Sequence, residues 1–267
     1  MPRSKSSRTR PAVKPLVRRR FPILEYDPAR IAILEPRRIV KAIDVPAHCV
    51  LCFFPEVLDH HTRESGREVS AAEGEGGRHP IHEIEFHGKR LIVAHPRVGA
   101  AMATAMLERL IALGCRKFIA CGGAGVLDSS IAVGHIIVPT AAIRDEGTSY
   151  HYLPAGREVG PHPHALRAIE ATLRARGVEY LAAKTWTTDG LFRETRARML
   201  ARKREGCLTV EMEAAAFFAA AKFRRVMLGQ ILYGADDLGG RWNDRGWMRH
   251  AVRAQLFELA AEACLRM

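Results

Sequence analysis

No apolar run in this chain approaches the ~18 residues that a membrane-spanning helix needs, and none follows the N-terminal charges as a secretory signal requires. The expectation is therefore a cytoplasmic protein with no membrane contact. Cysteine is sparse: Cys49, Cys52, Cys115, Cys121, Cys207 and Cys264 sit mostly among apolar residues and form no regular framework. Reduced thiols are expected, not disulfides. Internal repeats are absent. Glycine (22) and proline (14) are too few and too scattered for a fibrous chain, while 48% hydrophobic and 26% charged residues argue against wholesale disorder. A length of 267 residues fits one large α/β domain.

Acidic residues are missing from positions 1–20, which hold Arg3, Lys5, Arg8, Arg10, Lys14, Arg18, Arg19 and Arg20. This tail carries eight of the twelve net positive charges and leaves only +4 for the rest. An uncompensated run of like charges is expected to be a solvated, disordered extension, with the domain spanning residues 21–267. Phosphate neutralisation on a nucleic acid is the other use of such a tail, but no aromatic residue interleaves the charges to stack on bases.

From Ile81 the apolar pattern becomes regular. A strand at Arg90–Ala94, a helix from Gly99 to Leu113 and a strand at Lys117–Cys121 leading into Gly-rich sequence make a β-α-β unit. Further strands are predicted at His135–Pro139, Tyr180–Thr187, Leu208–Met212 and Val226–Tyr233. Helices are predicted at His164–Arg176, Glu194–Arg204, Met212–Lys222 and Trp247–Leu265. Residues 63–80, rich in Gly, Glu and Arg, read as a mobile loop. Strands alternating with helices imply a mainly parallel or mixed sheet covered on both faces, with ligands bound beyond the carboxyl ends of its strands.

The chemistry should therefore follow the strands. Gly122, Gly123 and Gly125 after Cys121 offer unhindered backbone N–H groups, although without dinucleotide spacing or the lysine of a P-loop. Glu211-Met212-Glu213 places two carboxylates beside the strongly apolar stretch 214–220. Burying them is costly unless something pairs with them. A helix N-terminus accounts for one. A sugar diol suits the other, because an ionised carboxylate accepts two hydroxyl hydrogen bonds. In Asp236-Asp237, one acid suits a turn before Gly239-Gly240, and the other suits proton delivery to a leaving group. Cys49 and Cys52, near His48, His60 and His61, have no second ligand pair at zinc spacing, so no metal is expected.

The segments LERLIALGCRKFIACGGAGVL (Leu107–Leu127), IAVGHIIVPTAAIRDEGTSYHYLP (Ile131–Pro154), TTDGLFRET (Thr187–Thr195) and TVEMEAAAFFAAA (Thr209–Ala221) occur in one order. Together they resemble the nucleoside phosphorylase family, which includes uridine phosphorylases, hexameric-type purine nucleoside phosphorylases and methylthioadenosine nucleosidases. The resemblance implies a single-domain α/β fold with a twisted, partly barrel-like mixed central sheet flanked by helices on both sides. It implies a pentosyltransferase in which inorganic phosphate, as co-substrate, attacks the anomeric carbon of a nucleoside without any other cofactor. A homo-oligomer, from dimer up to hexamer, is implied as well.

Position by position, the resemblance makes Glu213 the carboxylate that grips the ribose, with Met212 against the sugar and Glu211 beside it. Leu191 and Phe192 fall where an aromatic residue lies against the base, with Arg193 and Arg196 within reach of its polar edge. The family's Gly-Asp-Pro-x-Arg phosphate loop is replaced by nothing closer than Leu34-Glu35-Pro36-Arg37-Arg38. Its strand arginine falls on Ala120, and the following Thr or Ser falls on Gly123. Its Gly-x-Gly-Gly-Pro loop reads His95-Pro96-Arg97-Val98-Gly99, so Arg97 is expected to replace the charge lost at position 120 from an adjacent strand end, with Gly122 and Gly123 completing the phosphate site. RDEGTSYHYLP is phrased like uridine phosphorylases. Asp236, however, lies 23 residues after Glu213, the spacing to the acid that protonates N7 in purine-cleaving members. The lost phosphate ligands favour a nucleosidase using water as the alternative. In a third reading the site has decayed, the protein is not a catalyst and the basic tail binds nucleic acid.

Overall fold

The computed structural model describes residues 16–246 and 248–267. Of the expected basic tail, residues 1–15 lie outside the described residues, and residues 16–20 are exposed. The chain runs α1 (Pro36–Ile39), β1 (His48–Cys52), α2 (Pro55–Ser65), β2 (Arg67–Ala72), β3 (His79–Phe86), β4 (Lys89–Ala94) and α3 (Ala100–Leu113). It continues through β5 (Lys117–Val126), β6 (Ile136–Asp145), β7 (Glu158–Val159), α4 (Pro163–Ala175), β8 (Tyr180–Thr188) and α5 (Arg196–Arg204). β9 (Cys207–Glu211), α6 (Ala214–Arg224), β10 (Met227–Asp237) and α7 (His250–Arg266) complete it. Among the described residues no helix is long and apolar enough to cross a membrane.

β5, β10, β6, β8 and β9 pair in a closed ring, giving a five-stranded barrel. β1, β4, β3 and β2 continue outward from β5, and β7 pairs with β6. Along β5 the side chains alternate: Phe118 and Ala120 pack toward α3 and α6, while Ile119 and Cys121 pack toward α4 and α7. The sheet is thus buried on both faces, which is why its central strands read as continuous apolar runs. α3 begins after Gly99 (φ 95°) and stops at Gly114 (φ 142°), two backbone conformations open to glycine. Phe118 is fully buried. Phe118→Ala is expected to cost about 3–5 kcal/mol of unfolding free energy, measured by urea titration; a loss under about 1 kcal/mol would show that this core does not hold the fold.

Four expectations need correction. The mobile loop over residues 63–80 is instead the end of α2, the strand β2 and a turn into β3. β2 is an edge strand, so pairing with β3 and ion pairs of Arg78 with Glu68 and Glu73 hold it without any apolar period. The Gly-rich turn after Cys121 is also absent, because β5 continues to Val126. Its glycines serve packing: a Cβ on Gly122 would lie 3.1 Å from the Phe53 ring, and one on Gly123 would lie 3.2 Å from Tyr233. β10 likewise runs on through Asp236 and Asp237, carried past a register shift after Gly234 by pairing of Asp237 with Val126 and Asn243. Finally, β1 lies between β4 and β5, so the loop bearing Arg97 does not follow a strand adjacent to β5.

All six cysteines are free and buried. Cys49 and Cys52 pack on opposite faces of β1, so the pair cannot share a metal.

Candidate active site

β1, β4, β5 and β10 run parallel, as do β6, β8 and β9, and the two sets meet where the ends of β5 and β9 overlap antiparallel. There Gly125 pairs with Val210, and Thr187 of β8 pairs with Glu211. The carboxyl ends of both strand sets therefore open on one mouth. Glu211, Glu213 and Asp236 all reach it, as their positions after apolar strands lead one to expect.

Glu211 has its oxygens engaged by protein. Thr187 Oγ1 donates to one at 2.6 Å, and the backbone N–H groups of Glu213 (2.7 Å) and Ala214 (2.6 Å) donate to the other. It therefore fills the role of the helix-end carboxylate, neutralising the start of α6. Glu213 is the N-cap residue of α6 and reaches across the mouth. Its Oε1 accepts the Gly99 N–H at 2.6 Å and its Oε2 accepts the Met212 N–H at 3.3 Å. Each oxygen keeps a further lone pair for a ligand hydroxyl. Burial pushes both carboxyls well above the ordinary range, and the charge of Glu211 raises Glu213 further. Met212 is half-buried between them.

Two more carboxylates stand beside this pair without having been singled out in the sequence. Glu146, buried after β6, accepts the Ser149 N–H at 2.9 Å through Oε2, has no partner for Oε1 among the described residues, and is pushed up by burial. Asp189 follows β8 and accepts the Gly147 N–H at 2.8 Å. Its charge acts on both Glu146 and Glu213. Both residues sit one position past a strand end, the placement that drew attention to the other acids. Four carboxyls, Glu146, Asp189, Glu211 and Glu213, thus act on one another at the mouth.

The remaining candidates lie less closely together. Arg97 adopts a left-handed conformation (φ 72°), and its N–H donates to His95 Nδ1 at 3.0 Å. Its guanidinium packs against Gly76 in the β2–β3 turn and borders a cavity of about 970 Å³ beside the first turns of α3. Ala120 is buried in the sheet opposite Gln230. Leu191 and Phe192 form a short 3-10 turn, with Phe192 95% exposed, and Arg193 and Arg196 are exposed beside it. Asp236 Oδ2 accepts the Trp242 Nε1–H at 2.9 Å. Asp237 accepts from Ser129 Oγ (3.1 Å) and the Gly239 N–H (2.7 Å), which makes it the turn-forming member of the two acids. Glu194, half-buried between the 3-10 turn and α5, was not picked out either, because it lies inside a run of charges that reads as a solvated helix start.

A barrel closed by mixed strand pairing, with acids gathered at one mouth, is an α/β scaffold whose strand ends converge where sheets of this kind commonly carry a small-ligand site. The chain belongs to the phosphorylase superfamily, whose family model matches residues 47–266. Guanosine phosphorylase of Halorubrum lacusprofundi is 26% identical over 151 residues, 57% of this chain and 63% of that protein. Uridine phosphorylase of Haemophilus influenzae is 26% identical over 107 residues, 40% of this chain and 42% of that one. The matches thus span less than two thirds of either relative's length. Purine nucleoside phosphorylase from Toxoplasma gondii, solved in complex with immucillin-H, shares the fold with a TM-score of 0.72 at 18% identity, covering 84% of this chain and 92% of that one.

Proposed function

We propose that the protein cleaves the N-glycosidic bond of a nucleoside by phosphorolysis, releasing the free base and (deoxy)ribose 1-phosphate. The observation that carries this reading is Glu213, a buried carboxylate fixed by the Gly99 and Met212 N–H groups at the mouth where both strand sets end. It accepts hydrogen bonds from the ribose hydroxyls, with Met212 against the sugar. Those hydroxyls add donors to the two N–H groups it already holds, so binding favours its ionised form. As the C1′–N bond breaks, positive charge grows on the sugar facing Glu213, Glu211, Glu146 and Asp189, and the attraction strengthens toward the transition state. The bond's electron pair leaves with the base, whose protonation falls to Asp236 when the base is a purine. Phosphate then bonds to C1′, held by the backbone N–H of Gly123 beyond the end of β1 and by Arg97 once it swings from Gly76. Leu191, Phe192, Arg193 and Arg196 frame the base. No metal or organic cofactor enters the reaction, and the working form is a homo-oligomer. The names of the two sequence relatives support phosphorolysis of a nucleoside.

A second reading, hydrolysis, draws support from the position of Arg97 against Gly76 and from the acids around the sugar. Both raise the cost of holding a phosphate dianion. Product analysis separates the two. In phosphate buffer the expected product is the sugar 1-phosphate, with turnover lost in rigorously phosphate-free buffer. Equal rates in both, with free ribose formed, would establish water as the nucleophile.

A further inference from the structure

We propose that the cavity where Arg144, Arg157 and Arg202 converge is a further binding site, separate from the mouth, for the phosphoryl group of free phosphate or of a small phosphate ester. Its volume of about 340 Å³ stands at the low end of the roughly 300–1,000 Å³ usual for small-ligand sites. Three elements meet around it: β6 supplies Arg144 and Asp145, the stretch leading into β7 supplies Gly156 and Arg157, and α5 supplies Arg202. None of Glu146, Asp189, Glu211 and Glu213 lines it.

Arg144 is the group left without a counter-charge. Its side chain is buried, yet its guanidinium bonds only neutral oxygens: Nε donates to Ser149 Oγ at 2.9 Å, and the terminal nitrogens donate to the carbonyls of Pro154 (2.7 Å) and Leu153 (3.2 Å). Two of its five N–H groups are left without an acceptor among the described residues. The Tyr150 ring lies against its flat face, 4.4 Å from the guanidinium carbon. Glu146, next in the chain, accepts the Ser149 N–H instead and is itself pushed toward its neutral form by burial. A cation buried on such terms costs stability until an anion joins it.

The carboxylates nearby are already shared. Asp145 lies 3.0 Å from Arg202 and 3.8 Å from Arg198, and Glu205 lies 2.8 Å from Arg157 and 2.7 Å from Arg202. With Arg144, four arginines stand against two carboxylates, an excess of two positive charges. Arg202 Nε is buried and also lacks a partner among the described residues. Guanidinium groups arriving from different directions match the several oxygens of a phosphoryl dianion, which takes up both excess charges at once.

Gly156 offers the test, because a Cβ there would lie 3.3 Å from a terminal nitrogen of Arg144 and its φ is not positive. Gly156→Asp sets a carboxylate of the chain's own beside Arg144, and Gly156→Asn sets an uncharged side chain of the same shape there. Binding of inorganic phosphate and of glycerol 3-phosphate is followed by isothermal titration calorimetry at fixed ionic strength, with a melting temperature for each protein. Wild type is expected to bind, Gly156→Asp to bind about tenfold more weakly or worse, and Gly156→Asn to stay within about threefold of wild type. Arg157→Gln, at an exposed position, should weaken binding by about threefold or more and decides the matter if the Asp variant does not fold. Tighter binding of glycerol 3-phosphate identifies an ester as the ligand, and tighter binding of phosphate the free anion. Any phosphate held at the mouth remains in every variant. Absence of binding by folded wild type overturns the proposal, as do equal affinities in wild type, the Asp variant and Arg157→Gln. An equal loss in the Asp and Asn variants overturns it too, since Gly156 would then serve packing alone.

Discussion

Glu213→Gln is expected to lower kcat/KM for nucleoside cleavage by about 10²–10³-fold, equivalent to roughly 2–4 kcal/mol of transition-state stabilisation. The amide keeps the shape of the side chain but cannot offer two charged acceptors to the ribose hydroxyls or oppose the positive charge that develops on the sugar. The same substitution should stabilise the empty protein in alkaline solution. Burial and the neighbouring Glu211 hold the Glu213 carboxyl above the ordinary range. Its protonated form thus contributes stability that is fully present below the unfolded value and is lost as pH rises through the folded one. Glutamine has no such loss. Melting temperatures from about pH 5 to about pH 9 should diverge in favour of the variant as pH rises. Near-normal activity, or a variant less stable at every pH, would reduce Glu213 to a structural carboxylate that ties the start of α6 to Gly99.

Asp236→Asn is expected to slow cleavage of inosine or adenosine by roughly 10²–10⁴-fold, the range for removal of a general acid. Uridine should suffer far less, because a departing pyrimidine anion can be met by hydrogen bonds alone, from Arg193 or Arg196. The asparagine retains an acceptor for the Trp242 Nε1–H and so leaves the end of β10 in place. Asp237, with its bonds to Ser129 and Gly239, carries the turn. Stability should therefore change little. Equal losses on all three nucleosides together with a lowered melting temperature would instead assign Asp236 to the turn. An unchanged purine rate in a well-folded variant would remove it from the chemistry.

The frame was legible wherever burial imposes a period. β4, α3 and the first half of β5 announce themselves because both faces of the sheet are covered and the helix shows one side to it. Glu211 and Glu213 stood out for the same reason, as charges beside an apolar stretch. β2 did not, since an edge strand held by arginine–glutamate pairs has no apolar alternation to display. The second half of β5 was hidden by glycines that read as a turn but serve close contact with Phe53 and Tyr233. Strand order was invisible too. Nothing in the sequence shows that β1 slips between β4 and β5, and on that hidden order depended the idea that Arg97 stands beside position 120. Glu146 and Asp189 gain meaning only when the barrel closes and sets them beside Glu211 and Glu213.

The most direct measurement is base release from guanosine, inosine, adenosine and uridine by the purified 267-residue chain in phosphate buffer, with Glu213→Gln in parallel. Turnover of at least one nucleoside to free base by the wild type, falling about 10²-fold or more in the variant, is the expected result. No base released from any of the four by a folded wild-type protein, or release that the variant matches, would contradict the account.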